Sequence, residues 1–119
     1  MSGAADAAAA MAFQHWFGLE PGSGRVLLAL WRRCGGASAP AAELARETGH
    51  TPASMRRHHI PQIRQAMDTE AVDFDGRGYN LTETGRAECL AAIREIGDEL
   101  MRAAVGEQRT RQGELGHHQ

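Results

Sequence analysis

The stretch Ala41-Ala-Glu-Leu-Ala-Arg-Glu-Thr-Gly49, followed after one residue by Thr51-Pro52, decides the fold of this chain. Gly49 stands where a helix must stop and reverse, because only glycine takes the left-handed conformation there without strain. Thr51 and Pro52 then start a second helix, since threonine caps a helix and proline fits its first position. The sequence therefore predicts two helices, at 40–48 and 52–67, joined by a tight turn.

The second of these helices has a polar and an apolar side. Spacing along the helix divides the side chains into an outward set, Arg56, Arg57, Gln62, Arg64 and Gln65, and an inward set, Met55, Ile60, Ile63 and Met67. Pro61 interrupts the pattern because it lacks a backbone donor and clashes with the preceding turn. We therefore expect the helix to bend or divide near Ile60.

A short hairpin is predicted to follow, at residues 70–82. Residues 70–75 alternate as Glu-Ala-Val-Asp-Phe-Asp, and 79–82 read Tyr-Asn-Leu-Thr. The intervening Gly76-Arg77-Gly78 suits a tight turn that tolerates positive φ. The large aromatic side chains are expected in the core rather than on a base-stacking surface; they are Trp16, Trp31, Phe74 and Tyr79.

Helices are also predicted on both sides of this unit. The chain divides into an N-terminal helix and linker (1–22), a central domain (23–105) and a flexible tail (106–119). The first helix covers 4–17, and Gly18 with Pro21-Gly22-Ser23-Gly24 separates it from a second helix at 25–34. Thr82 or Thr84 caps a long last helix at 83–105, whose broad apolar stripe comprises Leu90, Ile93, Ile96, Gly97, Leu100, Met101 and Ala104.

Composition narrows the class of protein. A chain of 119 residues is one domain, and its net charge of −2 excludes a non-specific nucleic-acid coat. No run approaches the roughly 18–20 apolar residues of a membrane helix. Asp6 and the lack of a basic leader argue against a secretory signal, so we expect a cytoplasmic protein. Cys34 and Cys89 are expected to be free thiols rather than a disulfide.

Residues 55–81 resemble the winged-helix effector domain of the OmpR-type response regulators. That family carries V…HI..LR..L in its recognition helix and G-x-G-Y-x-L in its wing. The matching residues here are Met55, His59-Ile60, Ile63-Arg64 and Met67, then Gly76-Arg77-Gly78-Tyr79-Asn80-Leu81. Thr82 to Arg86, with a long helix behind them, look like the wing exit of MarR- or PadR-type repressors. The resemblance implies a mainly α winged helix-turn-helix with a small β-hairpin, an N-terminal helix and a long C-terminal helix.

The same resemblance implies binding to double-stranded DNA by a small transcriptional regulator. Helix 52–67 would enter the major groove, and the wing at 70–82 would lie on the backbone or in the minor groove. Arginine can pair with guanine through two hydrogen bonds, and glutamine can do so with adenine. The candidate DNA-contacting residues are Thr51, Ser54, Arg56, Arg57, Gln62, Arg64 and Arg77.

Each of these arginines also has an ordinary structural interpretation. Arg56 and Arg57 would otherwise belong to a solvated helix face. For Arg64 the two alternatives are contact with a DNA phosphate and a salt bridge with Asp68. For Arg77 one alternative is contact with DNA, in the minor groove or at a phosphate. The other is that the two glycines form the turn and Arg77 is merely the exposed residue between them.

Metal binding and catalysis have little support in the sequence. The side chains of His58 and His59 point about 100° apart on a helix and cannot share one ion, while His50 lies across the turn. We expect these histidines at the surface or at its boundary, with no metal and no cofactor. Ser38 and Ser54 are in no nucleophile elbow, so no enzyme is predicted.

A single winged helix buries little DNA, so we expect a homodimer through helix 83–105. The alternative function is a protein-interaction adaptor, for the transcription machinery or a phage-like assembly, without direct DNA contact. An acidic wing favours this alternative; its carboxylates are Asp68, Glu70, Asp73 and Asp75. A continuous basic strip from Arg56 through Arg64 to Arg77 would favour DNA, and a strip broken by Asp73 and Asp75 would favour a protein partner.

Overall fold

The protein is described by a computed structural model, which covers the backbone of residues 3–34 and 36–117 and the side chains of 5–34, 36–99 and Arg102. Helices make up most of it, with one small antiparallel hairpin. The helices are α1 (Gly3–Phe17), α2 (Pro21–Arg32), α3 (Ala41–Thr48), α4 (Pro52–Ser54), α5 (Ile60–Ala66) and α6 (Glu83–His117), and the strands are β1 (Val72–Phe74) and β2 (Tyr79–Leu81). A π-helical turn, Met55–His59, joins α4 to α5.

The segment from α4 to α5 runs as one helix over residues 52–66, here named the composite helix. Ile60 donates its backbone N–H to the carbonyl of Met55, five residues earlier, which widens the helix by one residue. Pro61 follows at once, and a proline ring cannot fit behind the regular turn of an α-helix. The predicted disturbance near Ile60 is therefore present as a π turn within an unbroken helix.

The turn before the composite helix has the predicted form. Gly49 takes the left-handed conformation, with φ of 78°, and ends α3. Thr51 caps the next helix, since its hydroxyl oxygen accepts a hydrogen bond from the Ser54 N–H at 3.1 Å. Leu44 and Ala45 of α3 are buried, as are the four inward residues predicted for the composite helix, Met55, Ile60, Ile63 and Met67.

Helix α2 begins at Pro21, four residues before the predicted start at Arg25. The prediction that Pro21 to Gly24 break the chain was wrong, because Pro21 fits the first helical position. Ser23 and Gly24 are buried, and an added Cβ at Gly24 would lie 2.6 Å from Gln14 Cγ. Small residues at this point allow α1 to pack closely on α2.

The hairpin is confirmed, and its β2 strand has a further partner. Val72 pairs with Leu81, Asp73 with Asn80, and Phe74 with Tyr79. On the other side of β2, the backbones of Ala39 and Tyr79 exchange two hydrogen bonds of 2.8 Å each. The loop between α2 and α3 is thereby attached to the hairpin, a contact that the sequence did not predict.

One core joins these elements, and two aromatic predictions about it were wrong. Tyr79 is buried and Trp31 is half-buried, with its ring edge-on to Phe13. Trp16, in contrast, is 46% exposed, because the neighbouring Phe13 and Phe17 take the inward side of α1. Phe74 is 51% exposed, since its contact with the Tyr79 ring covers only one side.

Helix α6 begins after Thr82, whose hydroxyl accepts a hydrogen bond from the Gly85 N–H at 3.2 Å. This settles the choice of cap between Thr82 and Thr84. The helix continues to His117 rather than ending at the predicted Val105. Ile96 is buried and Ile93 packs against the core, whereas the side chains of Leu100, Met101 and Ala104 lie outside the described part.

Both cysteines are free thiols, as predicted. Cys89 is fully buried, and burial raises the pKa of its thiol to about 12. A thiol with so high a pKa is neutral at physiological pH and a poor nucleophile. Cys89 therefore acts as a small apolar residue of the core.

Substitution of Gly78 tests the attachment of the hairpin to the α2–α3 loop. A Cβ at this position would overlap the backbone of Ala39 and lie 2.6 Å from the Pro40 nitrogen. Gly78→Ala should lower the free energy of unfolding by about 1–3 kcal/mol, measured by urea denaturation. Gly97→Ala is the matched control, because a Cβ there meets nothing within 4 Å of the single chain. At a protein concentration too low for association it should be neutral or stabilising by up to about 1 kcal/mol. Equal effects of the two substitutions would contradict the close approach.

Candidate nucleic-acid interface

Arg56 and Arg57 lie side by side on the exposed surface of the composite helix, in its π turn. Within the described side chains, neither has a carboxylate at salt-bridge distance; the carboxylates that pair with arginine are those of Asp6, Glu43 and Glu47. An unpaired guanidinium keeps all five N–H donors available to a ligand. These two residues therefore form the part of the predicted site that is open to a partner.

Gln62 and Arg64 have partners inside the protein. The side-chain oxygen of Gln62 accepts a hydrogen bond from the Glu20 backbone N–H at 3.2 Å. Arg64 donates to the Val72 carbonyl at 3.4 Å, and its guanidinium lies 5.9 Å from the centre of the Tyr79 ring. The proposed salt bridge between Arg64 and Asp68 does not form, and Arg64 instead joins the composite helix to the hairpin.

Thr51 and Ser54 sit at the start of the composite helix. The Thr51 hydroxyl is used as the helix cap, and Ser54 is half-buried. Both residues lie on the same helix as Arg56 and Arg57, within the first two turns. Their predicted contact with DNA stays a prediction.

Arg77 is exposed at the tip of the hairpin, where the turn is held by Asp75. One carboxylate oxygen of Asp75 accepts hydrogen bonds from the Arg77 and Gly78 amides at 2.8 and 3.0 Å. The Ser38 hydroxyl, followed by these two amides, lowers the pKa of Asp75 to about 2. Asp75 therefore remains ionised beside Arg77 under all ordinary conditions and offsets part of its charge.

Basic residues do not form a continuous strip between the composite helix and the tip of the hairpin. Asp73 is exposed on β1, between Val72, whose carbonyl binds Arg64, and the turn that carries Arg77. Glu70 and Asp73 also line an open groove beside Arg64. The arginines thus fall into a pair on the helix and a separate residue on a hairpin of mixed charge.

Three histidines meet behind the arginine pair, and sequence reasoning missed this cluster. His59 is buried rather than at the surface, and its ring lies 4.0 Å from that of His50 and 4.9 Å from that of His58, measured between centroids. The expectation of surface or boundary positions therefore holds for His50 and His58 but was wrong for His59. Regular helical spacing did carry a signal for His59, because it lies four residues from both Met55 and Ile63 of the inward set.

The chain matches no protein-family model, and neither a curated protein nor a solved structure is significantly similar to it. Among the residues that the structure describes, no group of three histidine, cysteine or acidic side chains is arranged to hold a metal ion. None of the described helices combines the length and the apolar character required to span a bilayer.

The two kinds of arginine should differ in their effect on stability. Arg64→Ala removes a charged hydrogen bond and a contact with an aromatic face, and should lower the free energy of unfolding by about 1–2 kcal/mol. Arg56→Ala removes an exposed side chain and should change it by no more than about 0.5 kcal/mol. Urea denaturation of the two variants beside wild type measures this. A larger loss for Arg56→Ala than for Arg64→Ala would contradict the assignment.

Proposed function

We propose that residues 41–82 form a winged helix-turn-helix that binds double-stranded DNA sequence-specifically, as a small transcriptional regulator. The observation that carries this proposal is the exposure of Arg56 and Arg57, without acidic partners among the described residues, near the start of the second helix. Helices of this class place the same region against base edges in the major groove. Arginine is the side chain best suited to that contact, since its two parallel N–H donors match guanine O6 and N7.

In this mechanism the composite helix reads bases and the hairpin positions the protein on the backbone. Arg77, at the hairpin tip, contacts phosphate or enters the minor groove. Arg64 contributes indirectly, because its bond to Val72 fixes the hairpin relative to the helix. Gln62 can form two hydrogen bonds with adenine only if its side-chain oxygen gives up the hydrogen bond from Glu20. Otherwise only its amide nitrogen is available to a base.

Substitution of the two sets of arginines should impair DNA binding in different ways. Arg57→Ala, or Arg56→Ala if that residue is the base reader, should weaken binding to a selected site by about 1–3 kcal/mol and relax preference at one or two base pairs. Arg77→Ala should weaken all sequences alike and reduce the salt slope by about one counterion. The measurement is a gel-shift titration on a site selected from a random pool and on a scrambled duplex, at two salt concentrations.

Arg94→Ala is the matched control, since Arg94 is exposed on α6, away from the composite helix and the hairpin. It should leave the affinity and the salt slope close to those of wild type. Wild-type protein that binds neither duplex at low salt would end the DNA proposal.

A protein-interaction adaptor is the second candidate, and the hairpin favours it. Phe74 is half exposed on β1 between the carboxylates of Asp73 and Asp75. An exposed aromatic ring with charged neighbours is typical of a protein-binding surface. Under this alternative, Phe74→Ser would abolish function in the cell while Arg57→Ala would have no effect.

We further propose that the protein acts as a homodimer, with α6 in the interface. An apolar groove runs between α1 and the first half of α6, and its lining includes Ala8, Ala9, Trp31, Ile93 and Gly97. Small side chains let a second helix approach closely, and two copies would supply the area of DNA contact that specific binding requires. Of the apolar stripe predicted on the last helix, Ile93, Ile96 and Gly97 line this groove.

Ala8→Arg tests the dimer without disturbing the core, because Ala8 is exposed in the single chain and lines the groove. Wild type should have the mass of a dimer by light scattering at tens of micromolar, and Ala8→Arg should have that of a monomer. Ala7→Arg adds the same side chain one position away and outside the groove lining, and should remain dimeric. A monomeric wild type would refute the proposal.

A further inference from the structure

The histidine cluster joins the composite helix to the start of α2. His59 Nδ1 and Ser23 Oγ share a hydrogen bond of 2.9 Å, and both side chains are buried. His50 donates from Nε2 to the Gly22 carbonyl at 3.3 Å. His58 Nε2 lies 2.6 Å from a Glu20 carboxylate oxygen. The start of α2, the turn before α4 and the π turn therefore meet through imidazole rings.

The His50 and His59 rings cannot separate by moving towards α2, because its backbone lies against both of them. A Cβ at Gly22 would lie 2.9 Å from His59 Cε1 and 3.1 Å from His50 Cε1, so both rings press against the backbone there. The His50 and His59 rings are nearly stacked, with 32° between their planes. Any increase in their separation must therefore displace the turn before α4 or the composite helix itself.

Most of the groups around His59 disfavour a positive charge on its ring. Three basic residues face His59 and disfavour a positive charge on it. They are His50 in the turn before α4, His58 in the same π turn, and Arg25 on α2. The N-terminal end of α2 adds a positive dipole end beside Ser23. Glu20 alone favours the charged ring, but its carboxylate is exposed and already bonded to His58. Burial is the largest single cause, and together with these charges it places the pKa of His59 below its ordinary value.

We propose that the closely packed His50–His59 pair is an acid-sensitive lock, which holds the composite helix on α2 while His59 is neutral and releases it when His59 gains a proton. The inference concerns packing between these elements and stands whether or not the helix contacts DNA. Release would shift Arg56 and Arg57, because they belong to the same π turn as His59.

The sign of the pH dependence follows from the lowered pKa. An unfolded histidine has a pKa of about 6.5, so the unfolded chain binds the proton more tightly than the folded one. The stability due to the neutral His59 ring is fully present above about pH 6.5 and is lost as the pH falls below that value. For one linked proton the folding equilibrium constant falls by up to about tenfold per pH unit within this window.

The test combines urea denaturation from about pH 7.5 to about pH 5 with an NMR titration of the histidine Cε1 protons. Wild type should lose stability below about pH 6.5, and the His59 ring should titrate below free histidine. His59→Gln retains a hydrogen-bonding group for Ser23 but cannot titrate, and should flatten the profile. If that variant does not fold, His50→Asn, at a half-buried position in the turn, should make the profile shallower, because it removes one of the charges that lower the pKa of His59.

His15→Asn is the matched control, since His15 is exposed on α1, and it should retain the wild-type profile. Amide hydrogen exchange, corrected for its intrinsic pH dependence, should accelerate on acidification in residues 52–66 before it does so in the core of α2. The proposal would be overturned if His50→Asn kept the wild-type stability profile, or if the pKa of His59 were at or above that of free histidine. Hydrogen exchange that accelerates uniformly along the chain would overturn it as well.

Discussion

Pro61 imposes the constraint on which the rest of the composite helix depends. Its ring excludes a regular α-helical turn, and the chain responds by bonding Ile60 to Met55 across five residues. In a regular α-helix, two residues five apart point in directions about 140° apart and could not both face one core. The wider turn brings Met55 and Ile60 over the same buried surface. The same turn carries Arg56 and Arg57 in solvent and His59 inside, so the exposed arginine pair and the buried histidine lie on opposite sides of one backbone irregularity.

The two sides of the π turn serve opposite purposes. On the outside, arginines without partners among the described residues keep their donors available, which suits recognition of an acidic or polar ligand. On the inside, His59 and Ser23 satisfy each other, and Gln62 binds Glu20 one turn further on. The exposed Arg57 and the buried His59 are therefore separated by a single residue of the same π turn.

Local rules predicted the elements well where the decisive residues are adjacent in sequence. Gly49 and Thr51 define the turn between α3 and the composite helix because each acts on the backbone next to it, and Gly76, with φ of 93°, defines the hairpin turn in the same way. Contacts between distant residues were not predictable, since the bridge from Ala39 to Tyr79 and the meeting of His50 with His59 both depend on packing. Of the candidate site, regular helical spacing accounts for the exposure of Arg57 only. Arg56 lies four and seven residues before the buried Ile60 and Ile63, so its exposure depends on the π turn. The use of Arg64 and Gln62 as internal links did not follow from spacing either, because spacing shows the direction of a side chain and not its partner.

The pairing of the hairpin has a consequence for self-association. A two-stranded sheet normally presents two free edges, each able to add a strand from another molecule. Here the outer edge of β2 is occupied by Ala39, and on the outer edge of β1 the Val72 carbonyl is occupied by Arg64. What remains open is a strand of three residues that includes the carboxylate of Asp73. Edge-to-edge polymerisation of the folded protein is thereby discouraged, and accidental aggregation through the hairpin would require the arginine or the α2–α3 loop to be displaced first.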